Sequence, residues 1–73
     1  MSYQSIYGGT DLKDYAVRLD EIQRMYTDGD IEEAEMIELT ADLKNELAID
    51  EGVMHVKLKG DLLRTMSTLA KLI

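Results

Sequence analysis

The chain has 73 residues, no Cys, no Trp and no Phe, and a formal net charge of −7. Without cysteine, disulfides, thiolate zinc sites and cysteine nucleophiles are excluded. A single domain this small, built from Leu, Ile, Val, Met and Ala, stands near the lower size limit for folding alone, which favours self-association or partner binding.

Residues 1–9, Met-Ser-Tyr-Gln-Ser-Ile-Tyr-Gly-Gly, read as a separate N-terminal arm, because Gly8-Gly9 breaks local structure. Tyr3, Ile6 and Tyr7 make it apolar enough to fold back on the remainder or to dock on a partner. Disorder is the third fate open to a bare terminus. Residues 10–73 then form one helical domain.

Thr10 offers a helix N-cap, with Asp11 in the first turn. Beyond it Leu12, Tyr15, Ala16, Leu19, Ile22, Gln23 and Tyr26 recur at intervals of three and four, an apolar stripe over four turns. Gly29 supplies the left-handed conformation with which helices commonly stop. Asp30 restarts the chain as an N-cap, with Glu33 three residues later in a capping-box arrangement. So short a connection makes the two helices antiparallel neighbours.

The second helix, about Ile31 to Asp50, carries two apolar stripes. Met36, Leu39, Leu43 and Leu47 form one; Ile31, Ala34, Ile37, Ala41 and Ala48 form the other. Glu35, Glu38, Asp42 and Glu46 fill one gap between them, and Glu33, Thr40 and Lys44 fill the second. Two apolar sides require two neighbours, a third helix or another chain.

The last segment reads two ways. As a helix, His55, Leu58, Leu62, Met66, Leu69 and Ile73 line one face. Against this, Val53 to Lys59 partly alternates, and Gly60-Asp61 has the look of a stop followed by a new cap. A short strand at 53–59 would need Tyr3 to Tyr7 as its partner. The fold expected is therefore all-α, an antiparallel hairpin with a third C-terminal helix in a small three-helix bundle; the alternative is α+β with that strand.

Charge is unevenly spread. Residues 1–52 hold fourteen acidic and four basic side chains, whereas residues 53–73 hold one acidic and four basic. Such a surface repels a phosphate backbone, so direct nucleic-acid binding is not expected. No apolar stretch nears the roughly 18 residues of a membrane span, and no signal peptide is visible. A soluble, cytoplasmic protein is expected.

Chemical motifs are lacking. His55 is the only histidine and falls within the apolar pattern, and Ser2, Ser5 and Ser67 show no nucleophile signature. As a calcium loop, Asp28, Asp30 and Glu32 would fit positions 1, 3 and 5. The obligatory Gly and the bidentate Glu would then be Glu33 and Leu39, and both fail. No catalytic residue, metal site, cofactor or small-molecule substrate is assigned.

Met25 to Leu43 resembles the short helical hairpins of the SHOCT type in its Gly-containing turn, the following Ile and a run of Glu entering the second helix. It departs from them in its acidic second helix (Glu38, Asp42, Glu46), and the resemblance carries over no functional residue. In composition the chain is also similar to small acidic accessory proteins of bacteriophages. The function expected is noncatalytic protein–protein interaction, by self-association or docking to a larger protein. Met36, Leu39, Leu43 and Leu47 would be its anchors, and Glu35, Glu38, Asp42 and Glu46 its partner-selecting ridge. The alternative is an acidic regulator that occupies a basic, nucleic-acid-binding surface of an enzyme.

Overall fold

A computed structural model describes residues 2–71. It is all-helical over that range: α1 (Tyr3–Tyr7), α2 (Lys13–Thr27), α3 (Glu33–Ala48) and α4 (Val56–Leu69). The alternation at 53–59 gives no strand. Val53 is buried, and from Val56 the chain is helix, continuous through Gly60.

The N-terminal arm folds back. Ser2 caps α1 by accepting from Ser5 N, and Asp20 of α2 accepts from both Tyr3 N (2.8 Å) and Gln4 N (2.9 Å). These are free donors of a helix start, here satisfied by a carboxylate from the next helix. Tyr7 is thereby buried, and its phenol pKa is pushed up by burial first and then by the Asp61 carboxylate of α4 and by Tyr3.

The turn between α2 and α3 stops one helix as expected but starts the next differently. Gly29 takes φ +82°, Asp30 N donates to Met25 O (2.8 Å) and Gly29 N to Tyr26 O (3.1 Å). That pairing is a Schellman motif, which closes the last carbonyls of α2. It claims Asp30 for the end of α2, so Asp30 does not cap α3. That helix begins at Glu33, with Glu32 as N-cap and no side-chain cap bond.

Cross-helix pairs run Tyr15–Asp50, Arg18–Glu46, Gln23–Met36 and Tyr26–Glu33. Partner numbers fall as the first numbers rise, so α2 and α3 are antiparallel. Each helix packs on the next in the chain: α1 on α2, α2 on α3 and α3 on α4. No Cα of α2 comes within 8 Å of one of α4, so the described helices pack in series with α2 and α3 as the inner members.

One core joins them, centred on Leu12, Leu19, Met36, Leu43, Leu47, Leu62 and Met66, each at most 1% exposed. On α3 the two expected stripes prove to be the flanks of a single buried arc. Thr40, read from sequence as part of a polar gap, lies between them at 0% exposure. Its hydroxyl donates to Met36 O (2.8 Å), which satisfies it within its own helix and lets its methyl pack as an apolar group. Ala34 and Ala48, from the second stripe, are exposed. Ile73, expected at the end of the α4 face, lies outside the described residues.

Candidate interaction surface

The expected anchors are mostly interior. Met36 and Leu43 are 1% exposed and Leu47 is 0%, so within this fold they cannot meet a partner; Leu39 is half-buried. The reason is the breadth of the buried arc, which receives α2 on one side and α4 on the other. Leu39 and Leu43 do line a shallow groove of about 310 Å³ between α2 and α3, together with Ile22, Met25, Glu21 and Asp42.

The acidic ridge lies on the opposite arc of α3. Glu35, Glu38, Asp42 and Glu46 are all exposed. Glu46 differs from the others, since Arg18 grips it through two nitrogens at 2.8 and 3.1 Å. Those bonds hold its carboxyl below the usual range and raise the Arg18 guanidinium. Among the described residues, Glu35, Glu38 and Asp42 make no ion pair within the chain.

The most exposed of the large apolar side chains stand elsewhere, ahead of Ile6 and Tyr26. Ile49 and Met54, on the connection between α3 and α4, are each 80% exposed, and Val56, the first residue of α4, is 77% exposed. From sequence Met54 reads, with Met36 and Met66, as an adaptable contact or core filler, with core filling favoured, and Val56 as part of the alternating segment. Ile49 has no reading, although one signal is present. At 100° per residue Ile49 falls in the same arc as Glu38, Asp42 and Glu46, an aliphatic residue where only polar ones belong.

This connection is tied down by two carboxylates. Asp11 accepts from Met54 N (2.7 Å) and meets His55 Nδ1 at 3.1 Å. Its carboxyl is held low, by the backbone bond first and by the His55 bond next. Asp50 accepts from the Tyr15 hydroxyl and from Gly52 N (2.8 Å), and these two bonds, in that order, hold its carboxyl low. Lys59 Nζ reaches the carbonyl of Asp50 (2.7 Å), fastening the first turn of α4 to the end of α3. Asp11 therefore serves this corner, and Thr10 does not cap α2 as its position suggests. The helix starts at Lys13 with Leu12 as N-cap and no side-chain cap bond, while Thr10 Oγ1 accepts from Leu12 N (3.1 Å) in the turn before it.

His55 stands outside the expected apolar face. It precedes α4, its side chain is 56% exposed, and its contact is Asp11. Among the described residues no three His, Asp or Glu side chains converge as metal ligands, and no helix is long and apolar enough to cross a membrane.

Family models, curated proteins and solved structures give no match to this chain. The likeness of Met25–Leu43 to SHOCT-type hairpins thus rests on its turn signals alone.

Proposed function

We propose that this chain is a noncatalytic protein–protein interaction module that docks through the α3–α4 corner, by self-association or on a larger protein. One observation carries the reading: three large apolar side chains, two on the α3–α4 connection and one on the first residue of α4, stand in solvent where the backbone is already tied by hydrogen bonds. Burial of apolar surface is worth about 25 cal/mol per Å². A surface held in place beforehand loses less of that gain to ordering. On this reading α2, α3 and α4 are the principal helices of a small bundle, and α1 is a strap that seats Tyr7. A cytoplasmic setting and an accessory role of the phage type belong to the same proposal and rest on composition.

The test is capture of a partner, including an untagged copy of the chain itself, by immobilised wild type and by an Ile49→Asp/Met54→Asp variant. The reading requires loss of capture with helix content unchanged. Equal capture by both contradicts it.

A second reading, an acidic regulator of a basic surface, is favoured by Glu35, Glu38 and Asp42, exposed on one arc without cationic partners among the described residues. It requires partner binding to weaken strongly from low to physiological salt, whereas apolar docking tolerates that change.

A further inference from the structure

Charge and exposure together select the occupant of the corner. Outside it the chain carries twelve acidic and six basic side chains, so most of the surface repels a second copy. At the corner the signs come nearly level, at a formal −1: Asp11, Asp50 and Glu51 stand with Lys57 and Lys59, and His55 lies beside them. Asp11 is engaged by His55 and Met54 N, Asp50 by Tyr15 and Gly52 N, and Lys59 by the Asp50 carbonyl. Glu51 and Lys57 are left exposed, and among the described residues neither makes an ion pair within the chain. In the chain these two opposite charges bracket Met54 and Val56.

A two-fold contact needs a patch complementary to itself, since residue i of one copy meets residue j of the other and the reverse. Exposed apolar residues with one anion before them in the chain and one cation after them, both unpaired among the described residues, supply both halves of such a contact. A strongly cationic partner would be drawn to the α3 ridge instead.

We infer that the corner formed by Ile49, Met54 and Val56 is an isologous docking site for a second copy of this chain, with Glu51 of each copy facing Lys57 of the other. This rests on the interaction reading above and names its partner. Two copies of charge −7 repel at long range, and salt removes that repulsion. Exposed cross-pairs contribute little, so screening dominates the salt response. Association therefore tightens with salt, by about tenfold between 0.01 and 0.15 M.

Sedimentation equilibrium of the full chain over a concentration series at those two salt levels is the test. The expected result is a mass rising toward twice that of the monomer, more readily at higher salt. Met54→Asp and Val56→Asp should abolish the rise with helix content intact, and Glu38→Lys should not. At 0.15 M, where the net repulsion is screened, Glu51→Lys and Lys57→Glu should each weaken association a few-fold, and the double exchange should restore it. A monomer at every concentration overturns self-docking, and partner capture lost in the corner variants would then show that the interaction reading survives. A dimer indifferent to both corner substitutions overturns both. A double exchange no tighter than the singles overturns the charge pairing and with it this two-fold site. A dimer that loosens as salt rises is held by opposite charges and not by the apolar centre, and overturns the site too.

Discussion

The Tyr15 hydroxyl donates to the Asp50 carboxylate, joining the first turns of α2 to the residue that begins the exposed corner. The bond closes a span of 35 positions and fixes where the chain leaves α3. Burial, with the Asp50 bond and charge, pushes the phenol up to about 12. A group whose folded pKa lies above its unfolded value stabilises the fold below the unfolded pKa and loses that contribution as pH rises through the folded one. This contribution is thus complete below about pH 10 and vanishes toward 12. Tyr15→Phe should lower Tm by a few degrees at neutral pH and remove the last step in the alkaline tyrosinate absorbance titration.

At the acid end the sign reverses. Asp11, Glu46 and Asp50 all have carboxyls held below their ordinary values by hydrogen bonds in the folded state. Their contribution is present above the unfolded carboxylate pKa and is lost as pH falls through the folded one. Thermal unfolding followed from pH 6 to pH 2 should show Tm falling below about pH 4. Asp11→Asn should reduce the slope of that fall.

Core and rim of α3 separate cleanly by substitution. Leu43 is 1% exposed, and Leu43→Ala should cost about 2–5 kcal/mol in denaturant unfolding. Leu39→Asp, at a half-buried position, should retain the fold. Thr40→Val should change stability by less than about 1 kcal/mol, because the hydroxyl it removes bonds a carbonyl already inside the helix. A large loss for Thr40→Val would mean that the hydroxyl's second, weak contact with Met36 Sδ (3.9 Å) matters to the core.

Two glycines should respond in opposite directions. Gly29 adopts φ +82°, where a Cβ is strained, so Gly29→Ala should destabilise by about 1 kcal/mol. Gly60 is helical and a Cβ built there meets nothing within 4 Å. Gly60→Ala should therefore stabilise by about 0.5–1 kcal/mol. Chemical denaturation of both variants checks the pair.

Much of the helix plan was legible because it depends on local spacing. Leu12, Ala16, Leu19 and Ile22, all in the expected stripe of α2, are buried, and Gly29 has the positive φ that its position implied. What stayed hidden depends on distant partners. Asp11 reads as a first-turn residue of α2, yet it bonds Met54 N, 43 positions away. Asp30 reads as a cap because periodicity does not reveal that a Schellman motif has already claimed its N–H. Thr40 reads as polar because its bond to Met36 O is invisible in a hydrophobic pattern. Met36, Leu43 and Leu47 read as anchors because whether a stripe faces a partner or the chain's own core is settled only by where α2 and α4 pack.

The central claim is that association runs through the α3–α4 corner and not through the acidic face of α3. Amide chemical shifts recorded by NMR over a concentration series test it residue by residue. Shifts should move for residues 49–57 and stay fixed for Glu35, Glu38 and Asp42. Movement along that acidic ridge with a static corner would contradict the account.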